Sequence, residues 1–149
     1  MNINRFCLIF CVLFSVSTLA AAEGCPYPSA VCYVDGHFQG TGRNAKWESQ
    51  QMGGLDYVEA FVGAIFIPRE PGSRRNGYLE KCMYKTARGS IVALRYGLGE
   101  KALTMSLSET TYWQPGNEIL GQAVFVCDDR QPDNCVFTVR RPKPLTGAQ

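Results

Sequence analysis

The stretch Tyr57-Val58-Glu59-Ala60-Phe61-Val62-Gly63-Ala64-Ile65-Phe66-Ile67-Pro68 decides the fold class, and no segment beyond the N-terminal leader is more apolar. Phe61, Val62, Ile65, Phe66 and Ile67 put apolar side chains on both alternating faces, and Pro68 closes the run. A short apolar run bounded by turn residues reads as a strand covered on both sides, although periodicity alone leaves a short helix open.

Downstream, Arg69–Gly77 contains Pro71-Gly72-Ser73 and Asn76-Gly77 and reads as a loop. Cleaner alternation follows. In Tyr78–Lys85, Tyr78, Cys82 and Tyr84 share one face while Lys81 and Lys85 share the other. In Ile91–Tyr96, Val92, Leu94 and Tyr96 point one way; in Ala102–Ser108, Leu103, Met105 and Leu107 face inward. Period-two alternation of this kind indicates half-buried antiparallel strands, turning at Arg88-Gly89 and Gly97–Glu100. Pro115-Gly116-Asn117 breaks the chain again, and Gln122–Cys127 and Cys135–Arg140 form a last pair joined by a polar loop. Upstream, Asp35-Gly36 between Ala30–Val34 and His37–Gln39 is a tight-hairpin signal, and Lys46–Gln51 is a weak strand. Closely spaced strands with turn chemistry between them predict an all-β fold, a small antiparallel β-sandwich or barrel.

The N-terminus reads as an export signal. Arg5 precedes the apolar Phe6–Phe14, and small residues lead to Ala20-Ala21-Ala22, so cleavage is expected after Ala22. The uncharged run Phe6–Ala22 is short for a membrane span and lacks a following basic cluster. Gly24-Cys25 could end a lipobox, but Glu23 is an unusual neighbour for one. Removing 22 of 149 residues leaves 127, suited to one domain at 23–140 with a solvated tail at 141–149. Without Arg5, 14 basic residues face 13 acidic ones, so no global affinity for nucleic acid is expected, nor any transmembrane segment in the mature chain.

Of seven cysteines, Cys7 and Cys11 leave with the signal. Cys25, Cys32, Cys82, Cys127 and Cys135 remain, and in an exported chain cysteines read first as disulfide partners. If the last two strands are hairpin partners, Cys127 and Cys135 can bridge across the mouth of their loop. Cys25 would then clamp the N-terminal segment to the sheet through Cys82 and leave Cys32 unpaired, expected as a buried free thiol, the alternative being an intermolecular bridge or a reactive thiol. The competing arrangement is Cys25–Cys32 with Cys82 free.

Candidate chemistry is sparse. His37 is the only histidine, and no Gly-x-Ser-x-Gly elbow accompanies it. Glu48, Asp56, Glu59 and Glu80 are the carboxylates that could hydrolyse a glycoside. Asp128, Asp129, Asp133 and Asn134 could offer oxygens to calcium, but lack the order of an EF-hand loop, and a solvated loop explains them. No metal or other cofactor is expected. Trp47, Trp113, Tyr57 and Tyr112 are candidate aromatic anchors for a sugar or a protein, the alternative being that they cap the core.

The order of Cys25-Pro26-Tyr27-Pro28, Phe61–Pro68, Leu79-Glu80-Lys81-Cys82-Met83-Tyr84, Val124-Phe125-Val126-Cys127 and Cys135-Val136-Phe137 resembles a family of small exported bacterial proteins of unknown function. The resemblance implies an exported all-β domain of Gram-negative origin and no particular activity. In that pattern Cys32 is the additional cysteine, which implies that it stays unpaired. The Arg88-Gly89-Ser90 turn is similar to the short polar loops with which periplasmic lysozyme inhibitors plug an active site. The expected function is a non-catalytic binding protein whose partner is a protein, as for an inhibitor, or an envelope glycan. Trp47, Trp113, Tyr112, Arg88 and Ser90 are its candidate contacts. A carboxylate-based hydrolase acting on cell-wall or other glycan is the alternative.

Overall fold

The computed structural model describes residues 22–42, 45–97, 103–108 and 111–140. The expected export signal, apart from Ala22, and the expected 141–149 tail lie outside them, as does most of the Gly97–Glu100 turn. The described residues form an all-β, antiparallel, curled sheet with no α-helix among them. Its strands are β1 (Ala22–Glu23), β2 (Val31–Val34), β3 (His37–Thr41), β4 (Lys46–Glu48), β5 (Val58–Pro68) and β6 (Gly77–Thr86). They continue with β7 (Ile91–Tyr96), β8 (Thr104–Leu107), β9 (Gln114–Pro115), β10 (Phe125–Cys127) and β11 (Phe137–Arg140).

The apolar stretch ending at Pro68 forms β5, a strand and not a helix. From Gly63 to Pro68 it is buried on both faces. Ala64 and Phe66 point into the main core, while Ile65 and Ile67 pack with Val124 in a smaller cluster on the opposite side. Double burial explains why no alternation is visible in its sequence.

β5 pairs along its length with β6, and the pairing is irregular at three places. Glu59 and Val62 on β5 and Glu80 on β6 are each left without a directly opposed partner. Because side chains alternate, one extra residue swaps the faces beyond it. Leu79 therefore lies in the core beside Cys82 and Tyr84, and Tyr78, expected on their face, is only half-buried.

The other edge of β6 forks. Residues Cys82–Lys85 pair with β7, which leads through β4 and β3 to the edge strand β2, forming a wing. At its start Gly77 pairs with Met105 of β8, which continues to β11 and β1. On the β5 side, β10 and then β9 extend the sheet. The path β10-β5-β6-β8-β11 curls into a half-barrel, and the Cys127–Cys135 disulfide joins its two ends.

This pairing of cysteines matches expectation, but its geometry does not. β10 pairs with β5 and β9, and β11 pairs with β8 and β1, so the bridge links strands that are not hairpin neighbours. The Cys25–Cys82 disulfide fastens the N-terminal segment to β6, helped by the Tyr84 hydroxyl, which donates to the Pro26 carbonyl at 2.6 Å. Burial pushes the Tyr84 phenol well above its ordinary pKa, because the anion could not be solvated there. Cys32 is free, as expected, but it is exposed on the edge strand β2 and not buried. Its exposure follows from the alternation of β2, which turns Val31 inward.

Candidate functional site

Both tryptophans belong to the core, which corrects their reading as surface anchors. Trp47 is 1% exposed, with its ring edge-on to Tyr96 and Phe137 at centroid distances of 5.1 and 6.3 Å. These contacts fold the wing onto β11. Trp113 is 0% exposed and fills the half-barrel. Its indole N–H donates to the Val136 carbonyl at 3.0 Å, and its ring meets Phe66. Arg74 donates to its carbonyl at 2.9 Å while the guanidinium covers the Phe125 ring. A buried indole N–H needs such an acceptor, and finding one lets the whole ring be buried. Tyr112, next in the chain, keeps part of its ring in solvent.

The structure gathers a different set of side chains at the turn between β6 and β7. Gly89 adopts φ +81°, a left-handed backbone suited to glycine. Its N–H reaches the Thr86 carbonyl at 2.9 Å, and the Thr86 N–H reaches the Ser90 carbonyl at 2.8 Å. The buried Thr86 hydroxyl accepts the Ser90 N–H at 3.2 Å. The turn is docked sideways on the start of β5, where Ala87 N–H donates to the Tyr57 carbonyl at 3.0 Å.

Asp56 completes this dock. Its carboxylate accepts the Tyr57 N–H at 2.8 Å, the Thr86 hydroxyl and the Arg88 N–H, with the Arg88 guanidinium nearby. Partial burial pushes its pKa upward, but the Thr86 and Tyr57 donors and the Arg88 charge outweigh that and hold it below the ordinary carboxylate range. Such a group is an anion that organises a turn, the opposite of the raised carboxyl a general acid needs.

With Asp56 turned inward to the dock, Leu55 and Tyr57 on either side are left outside, 73% and 65% exposed. Together with Ala87 and Arg88 they line a shallow, mostly apolar depression of about 400 Å³. Met52, Ile91 and Arg95 help to line a second hollow of about 250 Å³. Of the sequence-derived contacts, Arg88 and Ser90 lie on this turn, and Tyr57 and Asp56 join them there. Tyr112, Trp47 and Trp113 do not line the depression. Leu55 was missed because a leucine after Gly53-Gly54 carries no periodicity to show whether it is inside or outside.

The remaining candidates are occupied locally. His37 Nδ1 lies 3.0 Å from the Ser49 carbonyl and 3.5 Å from Glu48, which also faces Lys46 at 3.7 Å. Glu80 pairs with Arg95 at 3.0 Å, and Glu59 is exposed at a bulge. Asp129 accepts the Gln131 N–H and the Asn134 amide within its own loop. Asp133 accepts the Tyr27 hydroxyl, and that hydrogen bond, with some desolvation, raises the Tyr27 pKa. Among the described residues no group of three or more His, Cys, Asp or Glu side chains is placed to hold a metal ion. Among them too, no helix is long and apolar enough to cross a membrane.

Searches of curated proteins and of solved structures find no significant match to the chain. A family profile described as "Protein of unknown function (DUF3757)" does match, over residues 20–138, which takes in every described strand except the last residues of β11. The chain belongs to that family of unknown function.

Proposed function

We propose that the chain is an exported, non-catalytic binding protein that engages a protein or an envelope glycan through the surface built on Leu55, Tyr57 and Arg88. The observation that carries this reading is the pairing of two largely exposed apolar side chains with a guanidinium on a hydrogen-bonded turn. Exposed large apolar groups clustered with an arginine are the composition of interface hot spots, and a fixed turn loses little entropy on binding. Export is supported by the apolar leader ending in Ala20-Ala21-Ala22 and by two disulfides, which persist in oxidising compartments.

The test is binding of the purified mature protein to isolated peptidoglycan and to candidate periplasmic hydrolases, with Tyr57→Ala and Arg88→Ala alongside. Saturable binding, weakened about tenfold or more by each substitution, is the expected result. Unchanged binding by both variants would reject this surface. Release of soluble glycan fragments by the protein would instead favour a carboxylate-based hydrolase.

A further inference from the structure

Beyond β9, the chain runs out to a second tight hairpin whose whole outer part, 117–123, is exposed. Ile119 and Gln122 exchange both N–H···O=C bonds at 3.0 Å, so residues 120 and 121 alone make the loop. Both have positive φ, Leu120 at +51° and Gly121 at +76°. Two-residue loops with two left-handed residues select Asn or Asp followed by Gly, because the short polar side chain tolerates that backbone. Asp35-Gly36 follows the rule with nearly the same angles, +49° and +85°. Leucine at the first position breaks it. The side chain is also 99% exposed, so no packing against the described residues compensates the strain.

The base of this hairpin is rigid. Trp113 is locked in the half-barrel, Gly116 N–H donates to the Val124 carbonyl at 3.0 Å, and β10 ends in the Cys127–Cys135 disulfide. A strained, fully exposed aliphatic side chain on a braced hairpin is expensive in the free protein, and backbone strain of this kind gathers at ligand clamps.

We propose that the Ile119-Leu120 tip is a recognition element that inserts Leu120 into a concave apolar pocket of a folded partner protein. This rests on the binding-protein reading but not on the Leu55–Arg88 surface. A protein pocket fits better than a bilayer. Two aliphatic side chains offer little insertion area, the neighbouring exposed Glu118 is repelled by anionic headgroups, and no basic residue lies between 114 and 123 to attract them.

The full chain carrying photo-reactive benzoylphenylalanine at position 120, at position 57, or at exposed Arg130 as control, is irradiated in the cells that produce it. A cross-linked protein found at 120 but not at 130 is identified, purified and titrated with the wild type and with Leu120→Asn. The proposal expects Leu120→Asn to weaken binding tenfold or more while thermal stability rises or holds, since asparagine suits the left-handed position better. A purely structural role for Leu120 would lower stability instead, and that result would overturn the proposal. So would unchanged affinity of Leu120→Asn, a cross-link only to a second copy of the chain, or flotation of the wild type but not the variant with phosphatidylcholine–phosphatidylglycerol vesicles. A partner captured at 57 and not at 120 would reject the tip and leave the proposed function standing.

Discussion

The half-barrel and the wing solve the same structural problem in different ways. Each centres on a buried tryptophan, Trp113 in the half-barrel and Trp47 in the wing. Each contains a two-residue hairpin with both residues left-handed. The half-barrel has its two ends joined covalently by Cys127–Cys135, whereas the wing runs out to the free edge of β2 and is held by ring contacts to Phe137. The wing's turn, Asp35-Gly36, conforms to the backbone it adopts; the half-barrel's, Leu120-Gly121, does not. The covalently closed half of the molecule thus carries the local strain. A braced scaffold can hold an unfavourable tip in place; the disulfide nearest the wing, Cys25–Cys82, fastens the segment before β2 to β6 and does not close the wing's outer edge.

The two disulfides give the largest handle on this contrast. Cys25–Cys82 spans 57 positions and Cys127–Cys135 only 8. If stabilisation comes from restricting the unfolded chain, removing the first costs about 4 kcal/mol and removing the second about 2.5 kcal/mol. Urea unfolding of the paired Cys→Ser variants should therefore rank Cys25→Ser/Cys82→Ser as the weaker protein. The opposite ranking would mean that closing the half-barrel matters more than loop length. Binding through the 120 tip should in turn be more sensitive to loss of Cys127–Cys135, the bridge at its base.

Exchanging the turn residues sharpens the comparison at a smaller scale. Asp35→Leu should destabilise the wing by about 1 kcal/mol, because a bulky side chain is forced into the left-handed region. Leu120→Asn should stabilise by a similar order, about 1 kcal/mol or less, for the converse reason. Opposite signs in denaturant midpoints are the expected outcome. Equal signs would show that the surroundings, not the backbone angles, set the cost at these two turns.

Much of this organisation was legible in the sequence because it rests on local pattern. Asp35-Gly36 announces its hairpin, and Val92, Leu94 and Tyr96 alternate cleanly because β7 has no bulge. The Tyr78–Lys85 alternation misled because the Glu80 bulge interrupts it, and nothing in Leu79-Glu80-Lys81 marks where the extra residue falls. The Cys127–Cys135 pair was readable from spacing, yet its neighbours were not, since β5 and β8 reach those strands from far along the chain. The tryptophans were ambiguous for a related reason. Their burial depends on long-range partners, the Val136 carbonyl for Trp113 and the Tyr96 and Phe137 rings for Trp47. The candidate surface was half legible: Arg88-Gly89-Ser90 is a visible turn, but its dock on Asp56 and the exposure of Leu55 arise only on folding.

The β6–β7 turn supplies the subtlest test, because its anchor on Asp56 is electrostatic where the hairpin at 120 is braced covalently. The Asp56 carboxyl lies below its ordinary pKa in the folded chain, so folding favours its ionised form. Its contribution is fully present above the unfolded-state value, about pH 4, and is lost as the pH falls through the lower folded value. Asp56→Asn should therefore lower the thermal midpoint at pH 7 and converge on the wild type as the pH falls through the lowered folded value. Loosening this turn should also weaken any contact made through Tyr57 and Arg88 while leaving contact through Leu120 unchanged. A midpoint offset independent of pH would show that Asp56 ionises as readily in the unfolded chain as in the folded one, so that the Thr86, Tyr57 and Arg88 groups favour its charged and neutral forms equally. In that case the turn is held by hydrogen-bond geometry alone, and charge contributes nothing to the difference between the two tips.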